Sequence, residues 1–217
     1  MDEKQLIAAR AAQELKNGNV VNLGIGIPTK VVDYLPPDVT IHLHSENGIL
    51  GLGPSPTEEE IDPDLVNAGK LPVTIVEGSS FFDSPSSFAM IRGKHVDVAV
   101  LGVLQVDQYG RIANWAIPGK NILGVGGAMD LLEGAKKVIV TMLHTTRSGE
   151  SKIVESLSYP ITSQRRVDMI ITELAVFKVD KEGLLLMEMA DGCTIEDVKK
   201  HTLAPFRLSS QLTSNVR

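Results

Sequence analysis

Apolar and polar positions alternate along this chain with two periods. Over residues 2–17, Leu6, Ile7, Ala9 and Leu15 stand among charged neighbours. That spacing predicts an amphipathic helix, with Asp2 placed to cap it and Gly18 to stop it. The apolar run 20–23 predicts a short buried strand. It ends in Gly24-Ile25-Gly26-Ile27-Pro28, and a helix is predicted from there through Tyr34. Residues 40–44 predict a second strand running into a glycine-rich turn over 48–53. Residues 55–70 carry acids at 58–60, 62 and 64 and predict a surface excursion. Beyond it come a strand over 71–76, a helix over 84–92 carrying Phe88, Met90 and Ile91, and a buried strand over 96–101. A hairpin is predicted from 103–106 and 112–115 about the turn 107–110. A glycine loop at 124–127 leads into a helix over 128–134. Strands follow at 137–142, 168–172 and 175–179, with 183–189 as the return arm of a hairpin. Thr194 caps a last helix through 201, with Asp197 at its third position.

Strands and helices interleave along most of the chain. The expected fold is α/β: an open, mostly parallel sheet with helices on both faces, in one domain spanning 1–217. In such sheets ligands gather at the carboxyl ends of the strands. The glycine turns 24–28, 48–53 and 124–127 each follow a predicted strand, so they are expected to converge on one cleft.

Composition narrows the function. The 217 residues carry a net charge of −6, which is not the basic footprint of a nucleic-acid or anionic-membrane binder. The N-terminal segment lacks the apolar core of a signal peptide, and no apolar run approaches the roughly 20 residues that span a bilayer. A single cysteine, Cys193, allows no internal disulfide and fits a reducing compartment. A cytoplasmic protein is expected, binding neither nucleic acid nor membrane. Asp191 and Glu196 flank Cys193 and would raise its thiol pKa, so its expected role is structural. His42, His44, His95, His144 and His201 are not paired at metal-ligand spacing on a helix, and no cysteine cluster accompanies them. No metal is expected, and each histidine is read as structural. Gly24-x-Gly26 lacks the third glycine of a dinucleotide fingerprint, and Pro28 interrupts the helix start. Trp115 and Tyr109 read as core or interface.

The densest candidate for chemistry is Leu43-His44-Ser45-Glu46-Asn47-Gly48-Ile49-Leu50-Gly51-Leu52-Gly53-Pro54. Glu46 leaves a predicted strand and enters a turn rich in glycine. Such a turn lets a ligand approach bare backbone and leaves N–H groups free to meet it. Spacing alone also fits a surface glutamate in a tight turn.

This string resembles the signature of the family I CoA-transferases, in the subunit or half that carries the catalytic glutamate. Other segments agree in order: Asn22-Leu23-Gly24-Ile25-Gly26-Ile27-Pro28, Phe82-Asp83-Ser84, Ile91-Arg92-Gly93, Ala113-Asn114-Trp115, Ile117-Pro118-Gly119-Lys120, Gly126-Gly127-Ala128-Met129-Asp130-Leu131, Gly149-Glu150-Ser151-Lys152 and Asp191-Gly192. The resemblance covers roughly residues 5–205 and is nearest to the beta subunit of the 3-oxoacid type (succinyl-CoA or acetoacetate). It implies the CoA-transferase (NagB/RpiA-like) fold. It implies that Glu46 is the nucleophile and takes CoA as a glutamyl-CoA thioester, by ping-pong covalent catalysis without metal or permanently bound cofactor. Coenzyme A is then a substrate, exchanged between an acyl-CoA and a free carboxylic acid. By the same carry-over, Gly127 offers a backbone N–H to an oxyanion, Met129 lies beside the pantetheine arm, and Asn22 and Lys70 lie near the CoA or the nucleophile. Gly24, Gly26, Gly48, Gly51 and Gly53 would shape the turns around them.

The chain departs from the family at Ser55, where an aromatic is frequent, at Lys94, where a second glycine is usual, and over 144–167. A polar Ser55 beside the glutamate turn would suit a larger or more polar acid. The Gly-Gly-Phe segment of the family's other half is absent, so a separate alpha subunit in an α2β2 assembly is expected. Two other functions stay open: a same-fold binding or regulatory module (or an isomerase-like relative) that lost the chemistry, and an acyl-CoA hydrolase in which water takes the acyl group.

Overall fold

In the computed structural model of the protein, which describes residues 1–120, 122 and 124–216, the first helix α1 is Glu3–Ala12. The Asp2 carboxylate accepts from the Gln5 N–H at 2.7 Å, and the Gln5 side chain accepts from the Asp2 N–H at 2.8 Å. This reciprocal cap pairs two N–H groups that the first turn would leave unbonded. The helix stops at Ala12, short of the expected 17, and Gly18 at φ 79° turns the chain into the first strand.

In chain order the remaining elements are β1 (Val20–Leu23), β2 (His42–Ser45), β3 (Ile49–Leu52), β4 (Ile75–Phe81), α2 (Ser84–Arg92), β5 (Val98–Gly102), β6 (Gln105–Asp107) and β7 (Ile112–Ala113). Then come α3 (Ala128–Gly134), β8 (Lys137–Thr141), β9 (Ile153–Val154), β10 (Met169–Ile171), β11 (Ala175–Asp180), β12 (Gly183–Ala190), α4 (Ile195–His201) and β13 (Phe206–Val216). Ten strands form one sheet in the order β13-β12-β11-β10-β8-β5-β1-β2-β3-β4. The run β10-β8-β5-β1-β2 is parallel throughout, and antiparallel pairs extend it on both sides. Strands β7, β6 and β9 form a small second sheet.

The core lies on both faces of the large sheet, as the interleaved pattern predicts. Along β5, Val98 and Val100 join Ile7, Ala8, Ala11 and Ala12 of α1 on one side. Ala99 and Leu101 join Ile91 of α2 and Leu131 and Leu132 of α3 on the other. The period of two therefore divides each central strand between two helical layers. Arg10 locks α1 to the sheet, donating to the Glu188 carboxylate of β12 at 2.5 and 2.7 Å and to Glu14 at 2.7 Å.

Several elements differ from expectation. Residues 28–34 form a 3-10 helix, Pro28–Tyr34, in a segment where Thr29, Val31 and Val32 are β-branched and disfavour the α form. The 48–53 segment is mostly strand β3, with only its start acting as a turn. The strand expected at 71–76 begins at Ile75 and runs to Phe81, as an exposed edge whose polar Glu77, Ser79 and Ser80 hid it. The 124–127 turn follows a loop rather than a strand. Strand β13 pairs in parallel with β12 and was not predicted, because Ser209, Ser210 and Gln211 break its apolar pattern.

Candidate functional site

Glu46 leaves the carboxyl end of β2, two strands from β5 in the parallel run. This is where doubly wound sheets present ligand-binding groups. Strands β2 and β3 make a hairpin whose turn closes with the Gly48 N–H donating to the Ser45 carbonyl at 3.0 Å. Gly48 sits at φ 121°, and a Cβ there would stand 2.0 Å from the Phe82 carbonyl oxygen. Only glycine fits both the dihedral and the gap. The Phe82 N–H in turn donates to the Gly48 carbonyl at 3.0 Å, so the segment leading into α2 holds the turn from outside.

The half-buried Glu46 side chain lies between two groups from other elements. On one side the Asn22 amide, on β1, donates to Glu46 Oε2 at 3.1 Å. On the other stands the backbone of Gly127, at the start of α3. A Cβ on Gly127 would lie 3.3 Å from Glu46 Cγ and 3.4 Å from Oε1. Sites expected from three distant parts of the sequence thus meet around one carboxylate.

Asn22 is itself fixed. It is 1% exposed, and its Nδ2 also lies 3.2 Å from the His44 carbonyl and 3.2 Å from His44 Nδ1. Turning the amide over would set its oxygen against two fixed acceptors, the His44 carbonyl and the Glu46 carboxylate, so its orientation follows from its surroundings. Facing a donor, His44 Nδ1 must accept, and the proton belongs on Nε2, 3.1 Å from the Ser87 hydroxyl. Burial pushes the His44 pKa down, against the opposing charge of Glu46. Neutral imidazole is the state this network needs. Phe82 stacks on the ring with centroids 6.0 Å apart. The Asn22 Oδ1 atom is buried with no partner among the described residues.

The other expected positions divide. Lys70 belongs to a loop carried on the glutamate turn: Asn47 Nδ2 donates to the Val66 carbonyl at 2.8 Å, and the Ala68 N–H donates to Ser45 Oγ at 3.0 Å. Lys70 holds a positive φ of 61°, with its N–H bonded to the Asn67 carbonyl at 2.9 Å. Met129 lies on the first turn of α3 and is 40% exposed. Gly24 lets the chain leave β1 against β5, its N–H donating to the Val100 carbonyl at 2.8 Å, and Gly26 (φ 100°) turns it away. Gly51 and Gly53 do not shape a turn at Glu46. They admit Ser79 and Thr74, the contacts that bring β4 and its lead-in segment against β3. Ser55 is exposed beyond β3. His44 and Ser87 were missed as members of this constellation. His44 stands two residues before Glu46, and that proximity was the one signal available for it.

The Coenzyme A transferase family model matches residues 4–201. The chain belongs to the coenzyme A transferase family. It is 52% identical over 213 residues to the human mitochondrial succinyl-CoA:3-ketoacid coenzyme A transferase 2, covering 97% of this chain and 41% of that one. It is 50% identical over 214 residues to the beta subunit of the Escherichia coli K12 acetate CoA-transferase, covering 99% and 98%. The chain thus spans about two fifths of the mammalian relatives it matches and nearly all of the bacterial subunit. Among solved structures, an acyl-CoA transferase apoenzyme from Escherichia coli O157:H7 superposes with a TM-score of 0.78 at 25% identity, covering 99% of this chain and 43% of that one. Within this CoA-transferase chain, burial raises the pKa of the Cys193 thiol, with Asp197 adding to the effect. That is the direction expected from its acidic surroundings, although Asp197 rather than Asp191 or Glu196 supplies the charge. Among the described residues no helix is long and apolar enough to cross a membrane.

Proposed function

We propose that this chain is the beta subunit of a CoA-transferase that moves CoA between an acyl-CoA and a free short-chain or 3-oxo acid through a glutamyl-CoA thioester on Glu46. The observation that carries the reading is the half-buried Glu46 carboxylate, held between the Asn22 amide and the Gly127 backbone at the strand end. A Glu46 oxygen attacks the thioester carbonyl of the donor. The carbon–sulfur bond breaks, CoA leaves as thiolate, and an acyl-glutamyl anhydride remains. The thiolate then attacks the Glu46 carbonyl, the carbon–oxygen bond to the acyl group breaks, and the first acid leaves as carboxylate. The second acid reverses both steps and restores Glu46. Each step exchanges one anion for another, so no general base or metal is required.

Each attack places negative charge on a carbonyl oxygen. Gly127 is the N-cap of α3, where a helix leaves N–H donors unbonded, and its Cα stands against the Glu46 side chain, so its N–H is the donor we assign to that oxyanion. Asn22 aims the carboxylate, and His44 with Ser87 positions Asn22. Lys70 and Met129 would meet the CoA from the loop and the helix turn. Coenzyme A enters as substrate, and we place the reaction in the cytoplasm. A separate alpha subunit, in an α2β2 assembly, would complete the pocket. Exposed Leu71, Ile75 and Phe81, the last two on edge strand β4, supply apolar surface for it.

The test is intact-mass analysis of this chain, co-purified with its alpha subunit and incubated with acetoacetyl-CoA and with succinyl-CoA. A CoA adduct mapped to Glu46, absent from Glu46→Ala, is expected. A well-folded complex that forms no adduct with either donor would overturn the proposal. Turnover of the thioester without any acceptor acid would favour hydrolysis.

A further inference from the structure

A cleft of about 440 Å³ opens at the carboxyl ends of β5 and β8, and Glu46 is not among its walls. Its lining combines apolar Ile25, Ile27 and Met142 with Thr141, Arg147 and Lys152. Thr141 is the last residue of β8. In the strand order, β8 is separated from β2 by three strand spacings, roughly 14 Å. A short acid bound at Thr141 therefore does not touch Glu46.

Two observations mark this cleft as a site rather than a gap. Thr141 is 1% exposed, and its hydroxyl has no partner among the described residues. Buried polar groups are nearly always paired, so an orphan hydroxyl on a cleft wall lacks a partner that the cleft can bring. Lys152 is half-buried and, among the described residues, forms no ion pair. Burial pushes its pKa down to about 8, although the charge of Glu173 acts to raise it. Glu173 is the opposing charge that acts on the lysine, but the two form no ion pair, and the Glu173 carboxylate accepts the His144 N–H at 2.9 and 3.1 Å. A half-buried cation, a free hydroxyl and an exposed guanidinium lining one cleft with apolar side chains fit an amphipathic anion.

We propose that Thr141, Lys152 and Arg147 form a second, non-covalent site for a short-chain carboxylate, its charge on Lys152 and Arg147, one oxygen accepting from Thr141, and its chain against Ile25, Ile27 and Met142. The site is independent of covalent chemistry at Glu46, so its test is run in the Glu46→Ala chain as well as the wild type.

Equilibrium dialysis of the full chain against radiolabelled butyrate counts bound acid directly. Saturable binding, unchanged by Glu46→Ala, is expected. Lys152→Met and Thr141→Val should each weaken it about tenfold or more. Thr141→Val also separates binding from folding: it removes a hydroxyl that bonds to nothing, so the melting temperature should hold or rise while butyrate is lost. The single tryptophan, Trp115, lies in the segment that gives Asn114 and Ile117 to the cleft wall, and its fluorescence should shift with the same midpoint. No saturable binding, or binding indifferent to both cleft substitutions, would overturn the site. Displacement of butyrate by inorganic phosphate at equal or lower concentration would overturn the carboxylate assignment.

Discussion

At the scale of single residues, Gly127 separates catalysis from stability. Its φ of −82° is ordinary for alanine, so Gly127→Ala adds no backbone strain. The new methyl group meets the Glu46 side chain, at 3.3 Å from Cγ, and the carboxylate must give way. Displacements near 1 Å at a reacting group cost about 10²-fold in rate. We expect Gly127→Ala to lower kcat/KM by about 10- to 100-fold while urea-unfolding stability changes by less than about 1 kcal/mol. Full activity would remove Gly127 from the glutamate's surroundings. Glu46 and Gly127 were legible because dense, glycine-marked strings surround them. His44 was not. A lone histidine on a strand has many structural explanations, and only the folded geometry shows its ring turned onto Asn22 and Ser87. The orphan Asn22 Oδ1 is likewise a property of the assembled site alone.

At the scale of elements, the β2–β3 hairpin is what delivers Glu46, and Gly48 is its weakest substitution point. Gly48→Ala puts a Cβ 2.0 Å from the Phe82 carbonyl oxygen and forces a non-glycine residue to φ 121°. Both effects act on folding, so we expect a loss of about 3 kcal/mol or more in chemical denaturation, or failure to fold. A stability within 1 kcal/mol of wild type would show that the turn relaxes freely. The contrast with Gly127→Ala follows from geometry, since one glycine faces a movable side chain and the other faces backbone. Helix starts were legible where a capping residue precedes them, although α1 ends five residues before the expected stop. Asp83 accepts from the Ser86 N–H at 2.9 Å to begin α2, and Thr194 and Asp197 cap α4 reciprocally. Strands β3 and β4 were obscured because glycine and serine stand where they pair, and β13 because Ser209 and Ser210 fall in the irregular stretch of its pairing with β12. There the side chains are small so that neighbouring backbone can approach, which is the opposite of an apolar signature.

At the scale of the whole molecule, the parallel centre was legible and the joining of its far end was not. His144 was read as structural, and it is: fully buried, with Nδ1 2.9 Å from the Thr172 hydroxyl and Nε2 2.9 Å from the Thr202 hydroxyl. It thereby ties the end of β10 to the end of α4. Thr202 already donates to the Val198 carbonyl at 2.7 Å, so Nε2 carries the proton; the Thr172 hydroxyl has a longer alternative acceptor, the Ala175 carbonyl at 3.1 Å, and turned onto Nδ1 at 2.9 Å it leaves the ring neutral. Burial, and then the charges of His201 and Lys152, push its pKa from 6.5 down to about 4. The unfolded chain therefore takes up a proton below about pH 6.5 that the folded chain refuses until about pH 4. Stability from this group is complete above pH 6.5 and is lost as pH falls through that window. Between pH 6.5 and 5 the loss is on the order of 2 kcal/mol. His44 and the half-buried Glu173 also have shifted pKa values. A comparison with His144→Gln largely cancels them, because both proteins contain them. The variant should be less stable at pH 7, by about 1–3 kcal/mol, for its lost hydrogen bonds. On acidification to pH 5 the gap between wild type and variant should shrink by about 2 kcal/mol in urea unfolding. A gap that stays constant would mean that His144 titrates in the fold as it does in the unfolded chain, one that widens would mean that it is protonated in the fold, and either would end the neutral tie between β10 and α4.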